Sequence, residues 1–193
     1  MTQNKNLVAV AGGIGSGKST VLDLLKKYGD VLSCDKINAE MLRDEQYLAK
    51  LKIAFPDAFT PEFDRKRLSS IIFSDEKSRK KLNDIAHPEI ARRLQNAIDG
   101  CEKDTIFIEV PLLAGTGFDK LFKKIIVVTA PNDVRRKRIE ARDGVDSATA
   151  LKKMEGQKGE YLFPHAKVYY LDNGGCLADL EIQCDRLAQE NVF

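Results

Sequence analysis

The sequence of 193 residues has no tryptophan, two histidines and four cysteines, and aromatic residues make up only 7% of it. Cys34, Cys101, Cys176 and Cys184 are scattered, with no C-x-x-C pair and no histidine cluster beside them. That spacing argues against a disulfide scaffold or a structural zinc site and predicts reduced thiols. No apolar run approaches the roughly 18 residues that a membrane-crossing helix needs. Met1–Asn6 passes directly into the strand-like Leu7–Ala11 without the apolar core and cleavage site of a secretory leader. These absences predict a cytoplasmic protein that does not engage a membrane. A net charge of +2 is too small to point to nucleic acid as a partner. Internal repeats and low-complexity tracts are also lacking.

The composition that remains, 43% hydrophobic and 31% charged, is that of an ordinary folded chain of one domain with small excursions. Leu7–Ala11 reads as a strand ending at glycines, and a helix pattern follows from Lys18 to about Tyr28. Asp30–Ser33 is a weaker strand. Thr105–Val110 and Ile125–Thr129 are apolar, β-branched runs of the kind buried on both faces of a parallel sheet. Pro131 opens a basic helix to about Arg142, and Val168–Leu171 precedes a C-terminal helix. Strands alternating with helices predict a parallel α/β sheet with right-handed crossovers. Two stretches stand outside that alternation, a helical block over about 36–99 and a basic segment over about 143–160. The core is then about 1–35, 100–142 and 161–193. Within the block, apolar spacing marks Tyr47–Phe55, Leu68–Phe73 and Ile90–Ile98, with Pro88 suited to the first turn of the last helix. Val134–Lys158 holds eight basic against four acidic residues, a local charge of +4 on a nearly neutral chain. One compact positive field predicts a small anionic ligand rather than a long polyanion.

The ligand is named by the run Gly12-Gly13-Ile14-Gly15-Ser16-Gly17-Lys18-Ser19-Thr20, which satisfies G-x-x-x-x-G-K-[ST]. Glycines let successive backbone N–H groups turn inward around a phosphate, and the helix beginning near Lys18 adds its positive dipole end. Lys18 is placed for the β- and γ-phosphates of ATP, and the Ser19 hydroxyl for Mg²⁺. The run lies between a strand and a helix, as its mechanism requires. The loop alone does not choose a reaction, since GTPases, motor ATPases and small-molecule kinases share it. A GTPase needs a guanine-reading N-K-x-D segment, which is missing, and Asp172-Asn173-Gly174-Gly175 lies too late to serve as D-x-x-G. A regulatory ATP-binding module and a small-metabolite kinase remain. Chain size, the carboxylate Asp35 after the second strand and the basic segment favour the kinase. Asp35 is positioned either to orient an acceptor hydroxyl or to cap a helix starting near Lys36. Arg135, Arg138 and Arg142 share one helix face, whose plainer reading for Arg135 and Arg136 is a solvated basic surface.

At these residues the chain resembles the dephospho-coenzyme A kinase family. The likeness runs through the glycine-rich loop, Asp35, Ile72-Phe73-Ser74-Asp75, His87-Pro88, Val110-Pro111-Leu112-Leu113, Arg142-Asp143-Gly144, Gln157 and Asp172-Asn173-Gly174-Gly175. The resemblance implies a P-loop kinase core with an inserted helical substrate domain and a small basic lid. It implies transfer from ATP to the ribose 3′-hydroxyl of dephospho-CoA. It also implies nucleotide contacts from Gly13 to Thr20 and at Arg142, Asn173 and Gly174, with Lys18, Asp35 and Arg142 catalytic. On the acceptor side it implies Asp35, His87, Glu109 and Gln157, and for Mg²⁺ Ser19 and Glu109. The chain departs from the family pattern in four places. Ser33-Cys34-Asp35 stands for Asp-Ala-Asp, Glu109 for an aspartate and Ala114-Gly115 for Phe-Glu. The arginine before Gln157 is represented by Lys152 or Lys153.

Overall fold

The computed structural model describes residues 5–110, 118–156 and 163–193. It divides into two compact units, Met1–Ser33 with Gly100–Phe193, and Cys34–Asp99.

The first unit is built on a parallel sheet with strand order β2-β3-β1-β4-β5 among the described residues: β1 (Asn6–Ala11), β2 (Asp30–Ser33), β3 (Thr105–Glu109), β4 (Lys124–Thr129) and β5 (Lys167–Asp172). The central strands are apolar because both faces are covered. Val8–Ala11, Ile106–Ile108 and Ile125–Val128 are all buried. α1 (Lys18–Leu25) and α8 (Leu177–Gln189) lie together on this sheet. Val21, Leu22 and Leu25 of α1 join Leu180, Cys184 and Leu187 of α8 in one apolar cluster with Val8, Val10, Phe107, Ile126 and Val128. Phe193 closes it, edge-on to Phe107 at 4.9 Å between ring centroids. Tyr28, outside α1, donates its hydroxyl to Asp185 at 2.6 Å and so ties α8 to the turn after α1. α6 (Asn132–Asp143) and α7 (Ser147–Glu155) form a smaller cluster around Ile139, Ala150 and Met154. No helix among the described residues is long and apolar enough to cross a membrane.

The second unit is helical: α2 (Cys34–Met41), α3 (Glu45–Ala54), α4 (Arg65–Ser74) and α5 (Glu76–Asp99). Asp44 and Asp64 cap α3 and α4, each accepting from two first-turn amides. Asp44 also pairs with Arg93 of α5, and Arg92 and Arg93 hold the Glu89 carboxyl down to about 2. Two expectations fail here. α2 begins at Cys34, so Asp35 occupies its first turn and is not the cap of a helix starting near Lys36. And α5 runs unbroken through Pro88, so His87 lies in mid-helix and not in an entry turn. Proline gives up only one backbone bond, to the fourth residue before it. Ala86 before the proline and Leu94 and Ile98 after it are all buried, so both halves of α5 are held by packing as one helix.

Candidate active site

All five strands are parallel, so their carboxyl ends lie on one edge of the sheet, where open α/β sheets receive ligands. Gly12 follows β1, Ser33 ends β2, Glu109 ends β3, and Asn173 follows β5. This edge carries a cavity of about 380 Å³ whose wall includes Lys18, Ser19, Thr20, Glu109, Arg138 and Arg142. Three cations against one carboxylate make it a site for an anion.

The loop from Gly12 to Gly17 has the backbone that its glycines allow. Gly15 and Gly17 take φ of +77° and +88°, and a Cβ on Gly17 would collide with the Asn173 amide. α1 then starts without any side-chain cap, whereas α3, α4 and α7 are capped by Asp44, Asp64 and Asp146. Among the described residues no carboxylate of the chain itself offsets the positive end of this helix, which favours an anion there. Lys18 donates from Nζ to the Gly12 carbonyl at 3.0 Å, across the mouth of the loop. The Ser16 hydroxyl is buried, and among the described residues it has no hydrogen-bond partner. The uncapped start of α1, with Lys18 and Ser19 on the cavity wall, fits a phosphate group.

The loop is braced from behind by residues that the sequence read less fully. Arg135 donates from Nε to the Ile14 carbonyl at 2.9 Å, and its guanidinium lies directly over Gly13, where it would have to shift to admit a Cβ. Its expected place on a solvated face is thus overturned. Arg136 is half-buried, paired with Glu140 at 2.7 Å and donating to the Ser147 hydroxyl at 3.0 Å. Arg138 donates from Nη2 to the Asn173 carbonyl at 2.9 Å, with Nη1 within 3.5 Å of the Gly15 and Ser16 carbonyls. Asn173 is buried and donates from Nδ2 to the Ser16 carbonyl at 2.8 Å. Ile14 packs into the apolar cluster of α6 and α7, so that the loop and those helices share a core. The 3-and-4 spacing of the three arginines was the signal, but only the fold puts loop carbonyls within their reach.

The predicted nucleotide residues thus divide by position. Gly15, Gly17, Lys18, Ser19, Thr20, Arg142 and Asn173 line the cavity. Gly13 and Ile14 lie on the loop's outer side, and Ser16 is beneath it. Gly174 abuts Pro131, where a Cβ would come within 2.6 Å of the proline ring, while Gly175 and Leu177 line the wall instead. Gln157 and Pro111-Leu112-Leu113 fall outside the described residues. Asp35, exposed, and His87, half-buried, belong to the helical unit.

Arg142 reaches the cavity while held by its neighbour: Nε and Nη2 bond both oxygens of Asp143, at 2.7 and 3.2 Å. Lys153 of α7 joins the same carboxylate at 2.6 Å. Arg142 and then Lys153 hold the Asp143 carboxyl far below the usual carboxylate range. With the folded value depressed, this link persists at and above ordinary carboxylate pH and is lost only in strong acid.

A family model described as dephospho-CoA kinase matches residues 6–179. The chain belongs to the dephospho-CoA kinase family. It is 33% identical over 177 residues to a dephospho-CoA kinase of Thermus thermophilus, spanning 91% of this chain and 86% of that one. It is 31% identical over 191 residues to the dephospho-CoA kinase of Bacillus licheniformis, spanning 94% of each. Among solved structures, a Thermus thermophilus protein superposes with a TM-score of 0.85 at 32% identity, covering 97% of this chain and 98% of its own. The dephospho-CoA kinase from Campylobacter jejuni superposes with a TM-score of 0.64 at 27% identity, covering 97% of each chain.

For a dephospho-CoA kinase family member, the brace behind the loop carries a prediction. Asn173→Ala removes the bond to the Ser16 carbonyl, worth about 1 kcal/mol, and should lower the melting temperature by about 2–4 °C. The KM for ATP should rise severalfold as the loop loses its register. Thermal melts and steady-state kinetics on the same samples check both. An unchanged KM would mean that Asn173 only packs.

Proposed function

We propose that this chain transfers the γ-phosphoryl group of ATP to the ribose 3′-hydroxyl of dephospho-CoA, giving CoA and ADP, the last step of coenzyme A formation. The observation that carries this reading is the joining of Lys18, Ser19, Glu109 and Arg142 in one net-positive cavity of a dephospho-CoA kinase family member. The hydroxyl oxygen forms the new P–O bond as the bond to the β-phosphate oxygen of ADP breaks. Because the transition state is loose, catalysis falls to positioning and charge neutralisation.

Each side chain then has a task. Lys18 neutralises charge on the β- and γ-phosphates from within the loop. Arg142 exchanges Asp143 for the transferring phosphoryl group, which its planar fork matches with two bonds. Asp35, in the first turn of α2 directly after β2, orients the acceptor hydroxyl and takes its proton late in the step. His87 and Gln157 contact the CoA side, Asn173 and Gly174 flank the adenine, the helical unit Cys34–Asp99 receives the acceptor, and the segment over about 143–160 acts as a lid.

The donor set also suits Mg²⁺. Among the described residues no group of three or more His, Cys, Asp or Glu could hold a metal by itself. Mg²⁺ needs no such cage, since it is held by one or two protein oxygens together with phosphates and water. The Ser19 hydroxyl and the Glu109 carboxylate, on the same cavity wall, are those oxygens. When bound there, Mg²⁺ offsets charge on the β- and γ-phosphate oxygens.

ADP release with ATP and Mg²⁺, measured against dephospho-CoA, AMP, UMP and pantetheine, tests the reading. Turnover should require dephospho-CoA. Turnover with AMP or UMP instead would make the chain a nucleotide kinase, and tight ATP binding without any acceptor-stimulated turnover would make it a regulatory module.

A further inference from the structure

Ser33 and Glu109 end neighbouring parallel strands and are direct register partners. Residues in register on adjacent strands project to the same face, so their side chains meet. The Ser33 hydroxyl donates to Glu109 Oε2 at 2.7 Å, a charge-assisted bond in a setting where Ser33 is buried. Glu109 belongs to the wall of the phosphate cavity together with Lys18 and Ser19. A glutamate at a strand end has three side-chain torsions and would sample many directions on its own. A hydroxyl on one carboxylate oxygen fixes the plane of the group and hence the direction of the other oxygen.

We propose that Ser33 is a positioning residue, whose hydroxyl fixes the Glu109 carboxylate so that it presents an oxygen to the divalent cation of a metal–nucleotide complex in the cavity. This rests on the kinase reading above for the nature of the ligand. It assigns Ser33 no contact with substrate. Partners of this kind orient a metal ligand, and their loss typically lowers metal affinity or activity by roughly 10- to 100-fold.

The test uses Mn²⁺ as a spectroscopic stand-in and the non-hydrolysable ATP analogue AMPPNP with the full chain. Electron paramagnetic resonance of free Mn²⁺ reports affinity without turnover. Ser33→Ala should weaken Mn²⁺ binding in the presence of AMPPNP by roughly 10- to 100-fold. Ser33→Thr, which keeps the hydroxyl on a β-branched residue suited to a strand, should stay close to wild type. In a Glu109→Gln background, Ser33→Ala should add little, because the carboxylate to be positioned is already gone. Circular dichroism melts establish that each variant is folded. Wild-type affinity in Ser33→Ala would overturn the proposal. So would equal losses in Ser33→Ala and Ser33→Thr, or a full Ser33→Ala loss in the Glu109→Gln background. The kinase reading stands or falls separately, on dephospho-CoA-dependent ADP release by the wild type, and its failure would leave the Mn²⁺ result to decide the role of Ser33.

Discussion

Lys18→Ala should lower kcat by about 10²–10³, the range for removing one preorganised charge or donor from a transition state. Lys18 stands in the first turn of α1, and its ammonium bridges the loop mouth to the Gly12 carbonyl. Arg138 and Arg142 also line the cavity, but Arg138 is engaged with the Asn173 carbonyl and Arg142 with Asp143. Neither replaces a lysine that rises from the loop itself. Backbone amides of the loop and of the uncapped start of α1 survive the substitution, so nucleotide binding should persist in weakened form. Calorimetric titration with AMPPNP, beside steady-state kinetics, separates the two effects. If kcat were kept above about a tenth of the wild-type value and only the KM for ATP rose, Lys18 would act in uniform binding and its catalytic role would be withdrawn.

Asp35→Asn should lower kcat by roughly 10²–10⁴, the range for a general base, with little change in the KM for ATP. Ser33, standing two residues earlier, has no proton-accepting power at neutral pH, so Asp35 carries that task alone. The structure sharpens the stability half of this prediction. Asp35 lies within the first turn of α2 rather than at its cap, and the residue is exposed. Asparagine there gives up the interaction of a charge with the helix dipole, about 0.3–1 kcal/mol. The melting temperature should hence move by no more than about 2–4 °C. A variant with normal kcat and only a lower melting temperature would make Asp35 a helix-terminus residue, leaving Glu109 as the next candidate for handling the hydroxyl proton.

The parts of the fold that could be read in advance are those whose physics is local. Gly12 to Ser19 declares itself because its glycines, lysine and serine have one spacing at which they close on a phosphate. Ile125–Thr129 and Thr105–Val110 declare themselves because a strand covered on both faces has no polar alternation. Pro88 misled because a proline opening a helix and a proline tolerated inside one look alike in sequence. Ala86, Leu94 and Ile98, buried along α5, decide between them. Arg135 was unreadable for a similar reason. Its neighbour Lys137 is exposed, and only the packing of α6 beside the loop brings the Ile14 carbonyl within 2.9 Å of its guanidinium. The Ser33–Glu109 bond depends on the register of β2 against β3, residues 76 apart in the chain, and no spacing rule reaches that far. Ser33 and Glu109, taken singly, look like two losses from the family pattern. Taken as register partners they form one unit.

Incubation of the purified chain with dephospho-CoA, Mg²⁺ and ATP labelled in the γ-phosphoryl group, followed by ³¹P spectroscopy and mass analysis of the products, tests the central claim most directly. The predicted result is one label transferred per ADP formed, in a phosphomonoester on the ribose 3′-oxygen of a product with the mass of CoA. Label appearing in inorganic phosphate alone, or in added AMP or UMP while dephospho-CoA stays unlabelled, would contradict it.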